Sequence, residues 1–341
     1  MIARFELEET RNGLTNFPRG KSDTPLPAFH SEDGLKSAMG GDSILDKDEK
    51  LKDWAKRFTF PTIIGSLIHA MVHTRPDISY AVSILSRHMA KPELYHFKAA
   101  RRLLLYLRDT KEKGIRYSQK EMHRFESSRL ITAVTDESIM DGKKEIFDQY
   151  LEAAVDASFA DCDKTYRSTS GFVVWFGGSP IEWECKRQPL VTLSTMESEY
   201  VAASKCVCSI RFIHKLLDFL DLHRQGPTKC HEDNQACVAI STKPVHKSRS
   251  KHIGVKYHNV REASLNGEVE LYQVWTEHQV GDIFTKSLSK ADFIRCRETL
   301  MGYISFDEMV QRHPKPKSKV TQKLDIKYSP NTRVLSDAHE S

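Results

Sequence analysis

The 341-residue sequence lacks long apolar runs, a regular cysteine pattern and a strong net charge. Without a run of about 18 apolar residues, it contains no candidate membrane-spanning helix. The first ten residues, MIARFELEET, carry acids and no apolar core, so we expect no signal peptide and an intracellular location, cytoplasmic or nuclear. The seven cysteines are irregularly spaced, which argues against a disulfide framework and indicates free thiols. The net charge of +5 suits a nucleic-acid partner without requiring one.

Four parts of the chain differ from the rest in composition or periodicity. Residues 1–54 are polar and rich in Gly, Ser, Asp and Pro, so we expect a linker or truncated edge that is mostly loop. Residues 55–118 carry apolar side chains at three- and four-residue spacing, which predicts three helices and then a strand at 114–118. Residues 119–150 show no sustained hydrophobic period, so we expect an insertion or linker there. Residues 304–341 are rich in Lys and Pro, which predicts a basic disordered tail.

Residues 151–303 show an α/β pattern. Three short apolar or alternating runs predict strands, and Gly177–Gly178 predicts a hairpin turn between the second and third. Ser194 and Glu197 match a capping box, which begins a long helix. A strand, two helices, a strand and a final helix from about Gln279 follow. The order βββαβααβα predicts a mixed sheet with helices on its faces.

Acidic residues mark the starts or ends of these predicted elements. Asp156 lies within an otherwise apolar strand, where a charge is costly unless it is paired or binds a metal; the alternative is an edge strand with Asp156 facing solvent. Asp233 follows a strand and precedes a helix, a position that suits a catalytic acid and an N-cap equally. Asp282 falls in the first turn of the final helix, where an acid is ordinary.

Two glutamates begin the long helix, and only one is explained by the helix itself. The capping box accounts for Glu197. Glu199 lies two residues further, about 200° around the helix, and needs another explanation. If Asp156, Glu199, Asp233 and Asp282 converge in the fold, cations must offset their repulsion, so together they predict a divalent-metal site.

The sequence segments around these acids resemble those of one known family. The strings are VDASFAD, RSTSGFVVWFGGSPIEW, KRQPLVTLSTMESEYVA, EDNQACVAI, SKHIGVKYHNVRE and HQVGDIFTKSL. In this order, over residues 151–303, they resemble the ribonuclease H domain of copia-type (Ty1/copia) LTR retrotransposon Pol polyproteins. Residues 55–118 resemble the helical connection segment that follows reverse transcriptase in the same polyproteins. No Y-x-D-D polymerase motif, His-His-Cys-Cys integrase finger or D-[ST]-G protease loop occurs, so the chain resembles the carboxyl-terminal part alone.

The resemblance implies a fold, a site and an activity. The expected fold is a ribonuclease H-like mixed five-stranded sheet with flanking helices. The family's catalytic and metal-binding acids fall on Asp156, Glu199, Asp233 and Asp282. They are expected to bind two Mg²⁺ ions, with Mn²⁺ as an alternative, and to hydrolyse the RNA strand of RNA–DNA hybrids endonucleolytically. The implied partners are the hybrid and a separately encoded or formerly fused reverse transcriptase.

Two groups of polar residues are candidates for contacts with nucleic acid, one after the third strand and one before a helix. They are Lys186, Arg187 and Gln188, and Lys247, Arg249 and Lys251. A solvated polar surface is the alternative for each of them. For the chain as a whole, the alternative is a catalytically inactive nucleic-acid-binding transposon remnant. The four acids are intact, which favours the enzyme.

Overall fold

The amino-terminal part of the protein is helical. The computed structural model describes residues 23–29, 31–41, 45, 47–117, 151–220, 222, 226–242 and 254–314. In chain order the first helices are α1 (Glu32–Ala38), α2 (Glu49–Arg57), α3 (Phe60–His73), a 3₁₀ turn (Pro76–Ile78), α4 (Ser79–Ser86) and α5 (Leu94–Asp109). Pro61 lies in the first turn of α3, where its missing N–H leaves no helical hydrogen bond unmade. None of the described helices is long and apolar enough to cross a bilayer.

The start of the chain corrects one expectation from the sequence. The description of residues 1–54 as mostly loop is wrong for the described part, because α1 forms there and α2 begins there. Their caps are Ser31 and Asp48, and Trp54 of α2 is 1% exposed. Helix α1 is short and shows no period, but Leu51, Trp54, Ala55 and Phe58 stand at i, i+3, i+4 and i+7, a helical signal at α2 that the expectation overlooked. The strand expected at 114–118 is also wrong, since 114–117 form no strand and 118 lies outside the described residues.

The centre of the fold is a five-stranded mixed sheet, as predicted. Its strands are β1 (Leu151–Ser158), β2 (Thr169–Phe176), β3 (Ser179–Arg187), β4 (Thr228–Glu232) and β5 (Val269–Gln273). Their order is β3-β2-β1-β4-β5, with β1, β2 and β3 antiparallel and with β4 parallel to both β1 and β5. Strand β1 is therefore central, and β4 ends beside it.

Helices flank the sheet and continue to residue 312. They are α6 (Thr195–Phe219), α7 (Gln235–Thr242), α8 (Gly254–Leu265), a 3₁₀ turn (Thr276–His278), α9 (Asp282–Thr285), α10 (Lys290–Leu300) and α11 (Phe306–Arg312). The single final helix expected from Gln279 is broken, since Lys286 is extended and Ser289 caps α10. Helix α11 also corrects the expectation of a disordered tail from 304; residues 315–341 lie outside the described residues. The seven cysteines are free thiols, as predicted.

Hydrophobic clusters cover both faces of the sheet. On one face Ala153 and Val155 of β1 pack with Tyr200 of α6. On the other, Val173 and Trp175 of β2 belong to one cluster with the buried residues of α2 to α5 and of α9 to α11. The indole Nε1 of Trp183 adds a hydrogen bond to the Met71 carbonyl oxygen, at 3.0 Å. The amino-terminal helices and the sheet thus share a core, and the domain boundaries drawn from the sequence stay predictions.

Candidate active site

Asp156 lies in the central strand and is fully buried. Its side chain is on the face of β1 opposite α6, the face that it shares with Ala154. The Thr285 hydroxyl donates to its Oδ2, and the Lys286 ammonium donates to its Oδ1 at 3.2 Å. Both donors come from the segment around α9. The prediction that Asp156 is a paired or metal-binding acid, not an acid facing solvent from an edge strand, agrees with this placement.

Two glycines let the segment around α9 lie directly on β1 and β2. A Cβ added to Gly281 would lie 2.8 Å from the Asp156 Cβ, and one added to Gly171 would lie 2.3 Å from the Phe284 Cβ. The Gln279 Nε2 donates to the Val155 carbonyl oxygen at 2.9 Å, and its Oε1 accepts from the Gly281 N–H at 3.0 Å. This packing and these bonds hold Asp282 beside Asp156.

Three of the predicted acids form the first triad, which consists of Asp156, Asp233 and Asp282. One carboxylate oxygen from each lies within 4.8 Å of the other two. Burial, and then the Asp156 charge, raises the pKa of both Asp233 and Asp282. The Lys286 ammonium lies 2.6 Å from Asp282 Oδ1. Burial lowers the pKa of Lys286, but Asp156 and Asp282 outweigh it and raise the pKa overall.

The second triad consists of Glu199, Glu232 and Asp233, again with one oxygen of each within 4.8 Å of the others. Glu199 lies in the second turn of α6, and Glu232 is the last residue of β4. Burial and the charges of Asp156 and Glu232 raise the pKa of Glu199, and burial raises the pKa of Glu232. The four predicted acids therefore lie in two overlapping triads that share Asp233.

Glu232 is a member of the site that the sequence reasoning missed. Its position in the sequence could have indicated a role in the site, because Glu232 ends a buried strand immediately before Asp233. Lys286 was missed as well, although it follows Asp282 by four residues, a spacing at which helical side chains meet.

Glu197 is a capping residue, as interpreted from the sequence. Its N–H donates to the Ser194 Oγ at 3.2 Å. The return bond differs from a standard capping box, because the Glu197 Oε2 accepts from the Leu193 N–H at 2.8 Å. Neither triad contains Glu197.

The predicted polar residues Lys186 and Arg187 end β3, Gln188 follows it, and the three differ in exposure. Lys186 is exposed and Arg187 is half-buried, with its Nη1 donating to the Cys162 Sγ at 3.5 Å. Gln188 is only 3% exposed, and its Nε2 donates to the Ser170 Oγ at 2.8 Å and the Ser198 carbonyl oxygen at 2.9 Å. This burial argues against the predicted contact of Gln188 with nucleic acid, because the side chain ties β2 to α6. The other three candidates, Lys247, Arg249 and Lys251, lie outside the described residues.

Known proteins similar to this chain were found by sequence and by structure. No protein-family model matches it. It is 30% identical over 239 residues to the retrovirus-related Pol polyprotein from transposon TNT 1-94 of Nicotiana tabacum, covering 70% of this chain and 16% of that protein. It is 32% identical over 241 residues to the retrovirus-related Pol polyprotein from transposon RE1 of Arabidopsis thaliana, covering 70% and 15%. RNase H1 from Halobacterium salinarum NRC-1 aligns with a TM-score of 0.31 and 13% identity, covering 40% of this chain and 93% of that one.

The fold and the site define an α/β protein with overlapping carboxylate triads at the end of its central strands. The sequence comparison makes the chain a homologue of the retrovirus-related Pol polyproteins of copia-type transposons, and the predicted resemblance is confirmed. The chain spans about one sixth of the length of these polyproteins.

Proposed function

We propose that this chain is the ribonuclease H part of a retrotransposon polyprotein and that it cleaves the RNA strand of RNA–DNA hybrids endonucleolytically. The observation that carries the proposal is the pair of triads joined by Asp233, beside the central strand. Homology to Pol polyproteins supports it, because copying RNA into DNA produces such hybrids. A reverse transcriptase, fused or separately encoded, is the partner that would supply the hybrid.

The residues of the site fit divalent cations. All the converging ligands are carboxylates, which Mg²⁺ prefers together with water and phosphate oxygens. The ammonium of Lys286, between Asp156 and Asp282, occupies a position that attracts positive charge. We assign Asp156, Glu199, Asp233 and Asp282 to hold two Mg²⁺ ions, or Mn²⁺ in their place. When bound, such ions supply an activated water molecule and offset the charge on the leaving 3′ oxygen.

The residues of the chain orient the acids and receive the substrate. Thr285 donates to Asp156, which fixes the orientation of that carboxylate in the buried strand. Lys286 offsets part of the negative charge of the first triad before substrate arrives. Lys186, exposed at the end of β3, is placed to attract backbone phosphates. Discrimination of RNA from DNA would come from contacts to the 2′-hydroxyl groups.

The test is a cleavage assay on the full 341-residue chain, because the amino-terminal helices share a core with the sheet. End-labelled RNA in a hybrid with DNA should yield shorter labelled fragments cut at internal positions with Mg²⁺ and none with EDTA, while duplex DNA stays intact. The variant Asp156→Asn removes a charge without changing volume and should abolish cleavage. The matched control Asp163→Asn changes an exposed aspartate and should cleave normally.

Two results would contradict parts of this proposal. Cleavage by Asp156→Asn at the wild-type rate would show that the metal assignment is wrong. Retained hybrid binding by the wild type without any cleavage would favour the inactive remnant over the enzyme.

A further inference from the structure

We propose that Glu232 is a fifth metal-holding carboxylate, which binds the ion of the second triad together with Glu199 and Asp233. The inference rests on the proposed function and adds a ligand to it. The second triad would then bind its ion through three carboxylates, two of its own and Asp233, which it shares with the first triad.

The position of Glu232 follows from the alternation of side chains along β4. Cys230 faces α6, since its Sγ lies 3.8 Å from the Cys206 Sγ. His231 faces the other way and stacks on Phe306 with ring centroids 3.8 Å apart. Glu232 therefore returns to the α6 side of the sheet, where Glu199 lies. The last residue of β4 is thereby aimed into the site and away from solvent.

The hydrogen bonds of Glu232 leave one of its oxygens unused. Its Oε1 accepts from the Asn234 N–H at 3.0 Å, but its Oε2 has no hydrogen-bond partner, although the residue is 0% exposed. The Glu199 Oε2 is also buried without a partner. Buried polar atoms are nearly always satisfied, so unpartnered carboxylate oxygens on two members of the same triad fit a site that holds a cation.

The ammonium group of Lys286 pairs with acids of the first triad, not with Glu199 or Glu232 of the second. Lys286 contacts Asp156 and Asp282. In the part of the chain that the structure describes, no lysine or arginine forms an ion pair with Glu199 or Glu232. Two divalent ions carry four positive charges and Lys286 carries a fifth, which together balance the five carboxylates of the two triads. Glu232 thus adds a negative charge in the second triad, and Lys286 adds a positive charge beside the first.

The test measures Mn²⁺ binding to the full chain by titration calorimetry and by the EPR signal of free Mn²⁺, without nucleic acid. The variant Glu232→Gln keeps the side-chain volume and an oxygen for the Asn234 N–H, but loses the charge. We expect one of the two ions to bind at least about 10-fold more weakly. Glu232→Asp keeps the charge and should recover part of the affinity. The control Glu270→Gln, on the exposed side of β5, should bind both ions as the wild type does.

Thermal unfolding of the same proteins separates a ligand from a structural acid. Without metal, Glu232→Gln should unfold at the wild-type temperature or above it, because it removes a buried negative charge that lies beside Glu199 and Asp233 and has no paired lysine or arginine among the described residues. Its stabilisation by Mn²⁺ should be smaller than that of the wild type.

The outcomes distinguish this inference from the proposed function. Wild-type binding of two ions with unchanged affinity in Glu232→Gln would overturn the role of Glu232 alone. A lower unfolding temperature of Glu232→Gln without metal, together with unchanged Mn²⁺ affinity, would assign it a structural role. A wild type that binds no Mn²⁺ would overturn both the fifth ligand and the metal site.

Discussion

The variant Gly281→Ala tests whether close packing of α9 on β1 builds the site. The new Cβ would lie 2.8 Å from the Asp156 Cβ and 3.0 Å from the Asp156 nitrogen, whereas ordinary contacts begin near 3.4 Å. The segment must therefore move by about 0.6 Å or more. Overpacking of this kind costs about 1–3 kcal/mol. Gly281 has helical angles, φ −55° and ψ −27°, so alanine would regain about 0.4–1 kcal/mol from the backbone.

The expected net effect of Gly281→Ala is a loss of about 1–2 kcal/mol in the free energy of unfolding. The effect on cleavage should be larger, because the shift separates Asp282 from Asp156; a misplacement of about 1 Å can lower a rate about 100-fold. Urea unfolding and the initial rate of hybrid cleavage measure the two quantities.

The control is Gly65→Ala, at an exposed position in the middle of α3, where the new Cβ would meet nothing within 4 Å beyond its chain neighbours and the nearby backbone of its own helix. It should raise the free energy of unfolding by about 0.5–1 kcal/mol and leave cleavage unchanged. If Gly281→Ala were as stable as the wild type and cleaved hybrids as fast, the close packing of Gly281 on Asp156 would contribute neither to stability nor to cleavage.

Three further predictions concern charges. Glu197→Gln should retain most cleavage activity, because its amide oxygen can still accept the Leu193 N–H; a loss as complete as that of Asp156→Asn would place Glu197 in the catalytic centre. Lys286→Met should lower the metal-free unfolding temperature and enlarge the Mg²⁺-induced rise, since the ammonium competes with cations for Asp156; an unchanged Mg²⁺ response would contradict this. Buried carboxyls with raised pKa values, such as Glu199, bind protons more tightly when folded, so their contribution to metal-free stability should fall as pH rises above the ordinary carboxyl range. Between pH 5 and 8 the urea midpoint of Asp156→Asn should fall less with rising pH than that of the wild type, because the Asp156 charge helps to raise the pKa of Glu199. Equal slopes in the two proteins would refute this electrostatic coupling between Asp156 and Glu199.

The sheet and the first acid could be predicted because local signals agree there with the tertiary structure. Strand β1 alternates between two buried faces, so a charged residue within it is conspicuous. Ser194 caps α6 as the sequence indicates. The resemblance to copia-type proteins supplied the other acids, which local patterns left undecided between helix capping and catalysis.

The remaining features depend on contacts that no local pattern encodes. The break between α9 and α10 was missed because nothing in DIFTKSLSKADF forbids a continuous helix. Thr285 bonds to Asp156 instead, and Ser289 starts a new helix. The inward direction of Glu232 depends on the contacts of Cys230 and His231 with opposite faces of the sheet, which the sequence of β4 does not specify.

The shared core has a practical consequence for anyone producing the sheet without the helices that precede it. Strand β3 packs on the amino-terminal helices: the Trp183 indole donates to the Met71 carbonyl oxygen of α3 and lies against the cluster to which α2 to α5 contribute. A fragment that starts at Leu151 would present this surface to water, and exposed apolar patches of that kind promote aggregation. The helices before the sheet therefore act as a built-in solubilising cover, and truncation at the start of β1 should give insoluble material.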